Sequence, residues 1–146
     1  MTPELRAKKS AEAMWRDDPA SQALGMSLDD IGPGRSVMRM TIRSDMVNGH
    51  GICHGGFIFT LADSAFAFAC NSYNTRVVAQ HNSITYLTPG QMGETLTATA
   101  TEISRAGRSG IYDVEVTGED GRKLAVFRGH SRQIKGTHFD EEHTEG

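Results

Sequence analysis

The sequence has few of the residues that staple small folds. It contains two cysteines, Cys53 and Cys70, too few for a disulfide framework, and Cys70 stands inside an apolar run. That usage points to a reducing, cytoplasmic setting. No apolar run reaches the roughly 20 residues needed to cross a bilayer. The N-terminus, Met-Thr-Pro-Glu-Leu-Arg-Ala-Lys-Lys, is not apolar either, so no secretory signal is expected. A basic excess is also missing. The net charge is -3 and resides in residues 135–146, where Asp140, Glu141, Glu142 and Glu145 face only Lys135. The rest of the chain is charge-balanced, which argues against a nucleic-acid partner or an anionic membrane surface. No internal repeat is visible, and 146 residues suit one domain with a sizeable core.

What the sequence does have is one stretch around which the remainder is arranged. From Gly55 to Cys70 the chain opens on two glycines and then runs apolar for nearly four turns. Between His54 and Thr75 the only formally charged residue is Asp63. A helix that is apolar on every side is a buried helix. An unpaired carboxylate carried into such a helix is costly, and chemistry is the reason to keep it there.

Thr2-Pro3-Glu4 predicts a helix start, with a cap, an early proline and an acid near the positive end. The helix should run to Trp15 or Asp17, with Leu5, Ala11 and Trp15 facing inward. Asp18-Pro19-Ala20 starts a short second helix ending at Gly25. Residues 1–25 therefore read as an N-terminal helical arm, either a lid or packing arm or a segment that only covers a sheet edge. Strands are expected at Met26–Ile31, Val37–Arg43, Val77–Leu87, Glu94–Ser104, Gly110–Val116 and Lys123–Ile134. In the second, Met38, Met40 and Ile42 alternate with polar residues; in the third, Val78, Ile84 and Tyr86 share a face. Turns fall at Gly32-Pro33-Gly34, Pro89-Gly90, 105–109 and 118–121, which is hairpin spacing. The class is α+β: an antiparallel sheet of about six strands wrapped around one long central helix, over residues 26–134. Residues 135–146 read as a disordered acidic tail.

A sheet wrapped around one helix is the hotdog arrangement. The stretch Asn48-Gly-His-Gly-Ile-Cys-His54-Gly55-Gly56-Phe-Ile-Phe59-Thr-Leu61-Ala62-Asp63 closely resembles the acyl-CoA thioesterases of the hotdog superfamily, nearest the phenylacetate-degradation type. The likeness extends to Ala69-Cys70-Asn71-Ser72 and Phe127-Arg128-Gly129. It implies hydrolysis of aryl- or medium-chain acyl-CoA and an assembly of two or four copies.

The residues support that chemistry independently. Gly55 begins the helix, where backbone N–H groups lack partners and the dipole is positive, a setting for a developing oxyanion. Glycine also lets a substrate approach the backbone. The resemblance likewise implies that the Gly55 amide polarises the carbonyl. Asp63 can act as a general base on water or attack directly. His54 could orient the thioester or the amide. Asn48 could contact substrate or water, although Asn-Gly is also an ordinary turn pair; by resemblance both belong to the site. Gly56 accompanies Gly55, Phe59 and Phe66 could shape an acyl pocket, and Arg105 and Arg108 are candidates for the CoA phosphates.

Other readings are weaker. Asp45 and His50 suggest a hydratase pair, but that loop lacks the expected proline and Asp63 would be left unexplained. A Cys53-His54 nucleophile is disfavoured because neighbours in an extended loop point apart. His50, Cys53 and His54 do not complete a recognised metal spacing, and no cofactor is expected. A non-catalytic acyl-CoA-binding module would need an effector domain. Finally, Gly55 and Asp63 are eight residues apart, about 12 Å along a helix. Both must reach one thioester to within about 3.5 Å, so the site is expected to be shared by two antiparallel helices across a two-fold axis.

Overall fold

The computed structural model describes residues 1–141. Its elements are α1 (Pro3–Arg16), α2 (Pro19–Ala23), β1 (Ser27–Gly32), β2 (Arg35–Thr41), α3 (Gly55–Cys70), β3 (Val77–Tyr86), β4 (Thr95–Ala106), β5 (Ser109–Thr117) and β6 (Lys123–Gln133). A 3-10 turn at Ser44–Met46 lies between β2 and α3. Six strands form one antiparallel sheet in the order β1-β2-β4-β5-β6-β3, and α3 lies on its inner face.

Alternation along the strands builds the core. Met38 and Met40 of β2, Leu96, Ala98 and Ala100 of β4, Tyr112, Val114 and Val116 of β5, and Ala125 and Phe127 of β6 are all buried. Against them α3 presents Ile58, Leu61, Ala62, Ala65, Phe66, Phe68 and Ala69. The small alanines of β4 and α3 let helix and sheet approach closely. Gly129 serves the same end: a Cβ there would stand 2.6 to 2.7 Å from the Phe66 ring.

Helix α1 of the N-terminal arm packs on the edge strand β1. Thr2 caps α1 and Asp18 caps α2. The buried face of α1 is Ala7, Ser10 and Ala11; Leu5, expected inward, is exposed. Arm and central helix meet through hydroxyls: Ser21 Oγ lies 2.8 Å from Ser64 Oγ and donates to Asp18 at 2.7 Å.

Two segment expectations also change. Strand β4 runs on to Ala106 and β5 starts at Ser109, so only Gly107 and Arg108 turn where 105–109 was expected. Residues 135–141 are not a free tail, as the acidic composition of 135–146 suggests. Asn74, in the left-handed region at φ 58°, accepts hydrogen bonds from the His138 and Phe139 N–H groups and donates to the Phe139 carbonyl and Glu141. Arg6 pairs with Glu141 at 3.0 Å. Residues 142–146, the remainder of that expected tail, lie outside the described residues.

Candidate active site

The start of α3 is built by its cap. His54, in extended backbone at φ −63° and ψ 132°, is the N-cap, and its Nδ1 accepts from the Gly56 N–H at 2.9 Å. The Phe57 N–H reaches the His54 carbonyl at 3.0 Å. His54 itself is anchored by its N–H to the Met46 carbonyl at 2.7 Å. The cap thus uses the second amide of the helix and leaves the first, the Gly55 N–H, without an acceptor among the described residues. Tyr86 closes one side: its hydroxyl donates to the Gly55 carbonyl at 2.9 Å. A Cβ on Gly55 would lie 3.0 Å from the Tyr86 ring, so glycine permits this close approach. The result is an unpaired donor at the positive end of a 16-residue helix, suited to an oxyanion.

Asp63 is half-buried and faces β3. Its one hydrogen bond among the described residues comes from Asn82 Nδ2 to Oδ1 at 3.2 Å. Burial pushes the carboxyl above the usual 3.8, and the Asn82 bond opposes that rise. A carboxylate with raised proton affinity beside an apolar wall suits a base that takes a proton from water.

Asn82 does not stand out in the sequence, because a bulge hides it. The pairing of β3 with β6 slips between Ala79 and His81. One extra residue reverses the facing of everything after it. Val78 therefore lies outside, 45% exposed, opposite in facing to Ile84, where plain alternation puts both on one side. Asn82 turns in toward α3.

Asn48 makes the loop turn. Its Oδ1 accepts from the His50 N–H at 2.9 Å and the Ile52 N–H at 3.4 Å. Phe59 is half-buried and edge-on to Phe127, whereas Phe66 is fully buried against Tyr112 and Phe127 and packs the core. Arg105 stacks on the Tyr73 ring at 3.7 Å. The carbonyl of Arg108 accepts from Gln133, which pairs with Val77 at the start of β3. Gly55 sits at Tyr86, the other end of β3, about 30 Å away at 3.3 Å per residue. One chain therefore brings Gly55, His54, Gly56 and Tyr86 together and Asp63 with Asn82, but keeps Arg105 and Arg108 at the Cys70 end of α3.

Two alternatives lose support. Asp45 pairs with Arg43 at 3.1 Å and makes no hydrogen bond to His50 among the described residues. Burial pushes the Cys53 thiol up to about 11, so it stays protonated near neutrality and is a poor nucleophile.

This geometry agrees with what the chain resembles. The sequence profile of the thioesterase superfamily matches residues 50–125. Acyl-coenzyme A thioesterase PaaI of Escherichia coli is 42% identical over 132 residues, 90% of this chain and 94% of that protein. The solved E. coli PaaI protein from the phenylacetic acid degradation operon superposes with a TM-score of 0.92 at 41% identity, covering 93% of this chain and 99% of that one. A mutant of the phenylacetic acid degradation protein PaaI from Thermus thermophilus gives a TM-score of 0.77 at 37% identity, covering 80% and 100%.

Proposed function

The chain belongs to the thioesterase superfamily, as an acyl-CoA thioesterase of the hotdog fold, and we propose that its chemistry is carried by Asp63 and the Gly55 amide. The substrates are aryl- or medium-chain acyl-CoA thioesters of the phenylacetyl-CoA or hydroxyphenylacetyl-CoA type, and the products are the free acid and CoA. Water loses a proton to Asp63 as its oxygen bonds to the carbonyl carbon. The carbonyl oxygen, now negative, is held by the Gly55 N–H. Collapse of this intermediate breaks the C–S bond, and the proton held by Asp63 passes to the departing CoA thiolate, which restores the carboxylate. The observation that carries this reading is the Gly55 amide, left unpaired at the positive end of α3 by the His54 cap.

Within one straight helix the Gly55 amide and Asp63 are about 12 Å apart, too far for one thioester. The working unit is therefore a homodimer, or a homotetramer built from it, with Gly55 of one subunit facing Asp63 of the next. Antiparallel α3 helices would also carry the Arg105 and Arg108 end of one subunit toward the Gly55 end of the other, where CoA phosphates need cations. Phe59 borders the acyl group, and His54 and Asn48 hold the oxyanion loop. Two unbridged cysteines suit a reducing, cytoplasmic setting. No helix of the described residues is long and apolar enough to cross a membrane.

Complementation tests the shared site. Gly55→Pro removes the amide hydrogen at the first helical position, where proline is tolerated, while its added carbons also require the Tyr86 side chain to give way by a few tenths of an ångström, and Asp63→Asn removes the base. Each alone should be nearly inactive. After subunit exchange at equal amounts, half the dimers are mixed and hold one intact site each, so about a quarter of wild-type activity should return. No recovery, with exchange confirmed by mass spectrometry, would rule out sharing.

A further inference from the structure

Asn82 is the side chain that contacts the reacting carboxylate. The β3 bulge between Ala79 and His81 aims it at α3, and bulges beside active sites commonly re-aim a side chain in this way. Without the extra residue, Asn82 would face outward, as Ser83 does here, and a different side chain would meet Asp63. The amide gives Nδ2–H to Asp63 Oδ1 at 3.2 Å. Its own Oδ1 is buried with no hydrogen-bond partner among the described residues. An amide placed only for stability would satisfy both ends, because a buried orphan acceptor is unfavourable. Of the two amide orientations, only the one with the N–H group on Asp63 suits an ionised carboxylate; the reverse sets oxygen against oxygen.

We propose that Asn82 is the positioning residue of the hydrolytic site, holding Asp63 Oδ1 so that Oδ2 is aimed at the attacking water. This rests on the reading of Asp63 as the catalytic carboxylate. Oδ2 accepts no hydrogen bond among the described residues, so it is the oxygen that receives the proton. The amide also favours the ionised form against the burial that disfavours it. Other titratable side chains on the elements packed with α3 include Cys70 on α3 itself, His81 and Tyr86 on β3, Glu102 on β4, Tyr112 and Asp113 on β5, and His130 on β6, whose ring meets that of His81. Across the Ser21–Ser64 hydroxyl pair stands Asp18 of the arm. Glu102 is engaged by the Tyr73 and Tyr112 hydroxyls at 2.8 and 2.9 Å. None of these hydrogen-bonds Asp63 among the described residues, so Asn82 is its direct regulator.

The test is the pH profile of phenylacetyl-CoA hydrolysis by the full chain. Asn82→Leu keeps the size and removes the donor. Its kcat should fall about tenfold or more with KM within about twofold, and the acid limb of kcat/KM should move up by about one pH unit. Asn82→Asp keeps the shape and puts a second carboxylate against the first. The pair then shares a proton, and the acid limb should move further still. A purely structural role would change melting temperature without moving the acid limb. If both variants keep the wild-type limb and kcat stays within about twofold, the proposal fails. Should the Leu variant not fold, Asn82→Asp alone decides between the two outcomes by the same limb and the same kcat. Asp63→Asn runs alongside: if it keeps its turnover, the assignment of Asp63 fails first. If it is inactive while the Asn82 variants behave as wild type, only the role of Asn82 fails.

Discussion

The two ends of α3 are finished in opposite ways. At the C-terminal end nearly every polar group has a partner. Asn71 donates to the Ala67 and Val77 carbonyls and accepts from the Val77 N–H. His138 Nε2 lies 2.8 Å from Asn71 Oδ1 and 3.1 Å from the Thr75 carbonyl. Ser72 joins the Ala69 carbonyl to the Gly34 N–H. At the N-terminal end the His54 cap satisfies one amide and leaves Gly55 open, and midway Asp63 has a single donor. Buried or capped polar groups are normally paired. The closed end is what a fold needs, and the unfinished end is where a substrate can complete the bonding.

The sharpest way to break this contrast is at Asp63. Replacement by Asn should lower kcat/KM by about 10²- to 10⁴-fold, the usual worth of a general base, read by thiol release. The fold should not suffer. Asp63 is held above 3.8 by burial, so the folded state binds its proton more tightly than the unfolded chain. Stability is then lost as pH rises through 3.8 toward the raised value. The Asn variant lacks that loss, so its urea midpoint at pH 7 should equal or exceed that of the wild type. A midpoint well below wild type would mean that Asp63 is a structural member of the helix after all.

The same contrast explains how much is legible in the sequence. Alternating strands, turns rich in glycine and proline, and a helix with a single charge are enough for the sheet and α3, and they single out Gly55 and Asp63 for the roles proposed above. Those features are local and repeat at the period of their element. Asn82 escapes because one bulged residue in β3 inverts the alternation, and nothing in Val-Val-Ala-Gln-His-Asn marks where it falls. The segment 135–141 escapes for a different reason. Its acidic composition suggests solvent, yet Asn74, one of the few residue types that tolerate a positive φ, offers an amide that binds the segment's backbone. Arg105 and Arg108 are legible as turn cations, but their distance from Gly55 depends on strand order, which composition does not encode.

The closed end supplies the second prediction. Asn71→Ala strands the Val77 N–H and removes the acceptor for His138. It should cost roughly 3 kcal/mol in urea unfolding while kcat/KM at 25 °C stays within about twofold. Burial keeps the His138 imidazole below its ordinary 6.5, so its contribution is complete above 6.5 and is lost as pH falls. The penalty of Asn71→Ala should accordingly shrink in acid. A large fall in kcat with little loss of stability would show that the closed end reaches the chemistry.

The smallest effect belongs to His54, where the two kinds of finish meet. Its imidazole caps Gly56, a structural act, but it does so beside the open Gly55 amide. His54→Asn separates these roles, because asparagine caps as well as any residue. Stability should therefore stay within about 0.5 kcal/mol of wild type, whereas loss of the cap in His54→Ala should cost about 1 kcal/mol. If the ring only shapes the helix start, the Asn variant also keeps its kcat. A role in the open end predicts otherwise: with the cap retained and the imidazole gone, kcat should drop about tenfold if the ring also orients the thioester or the Gly55 amide.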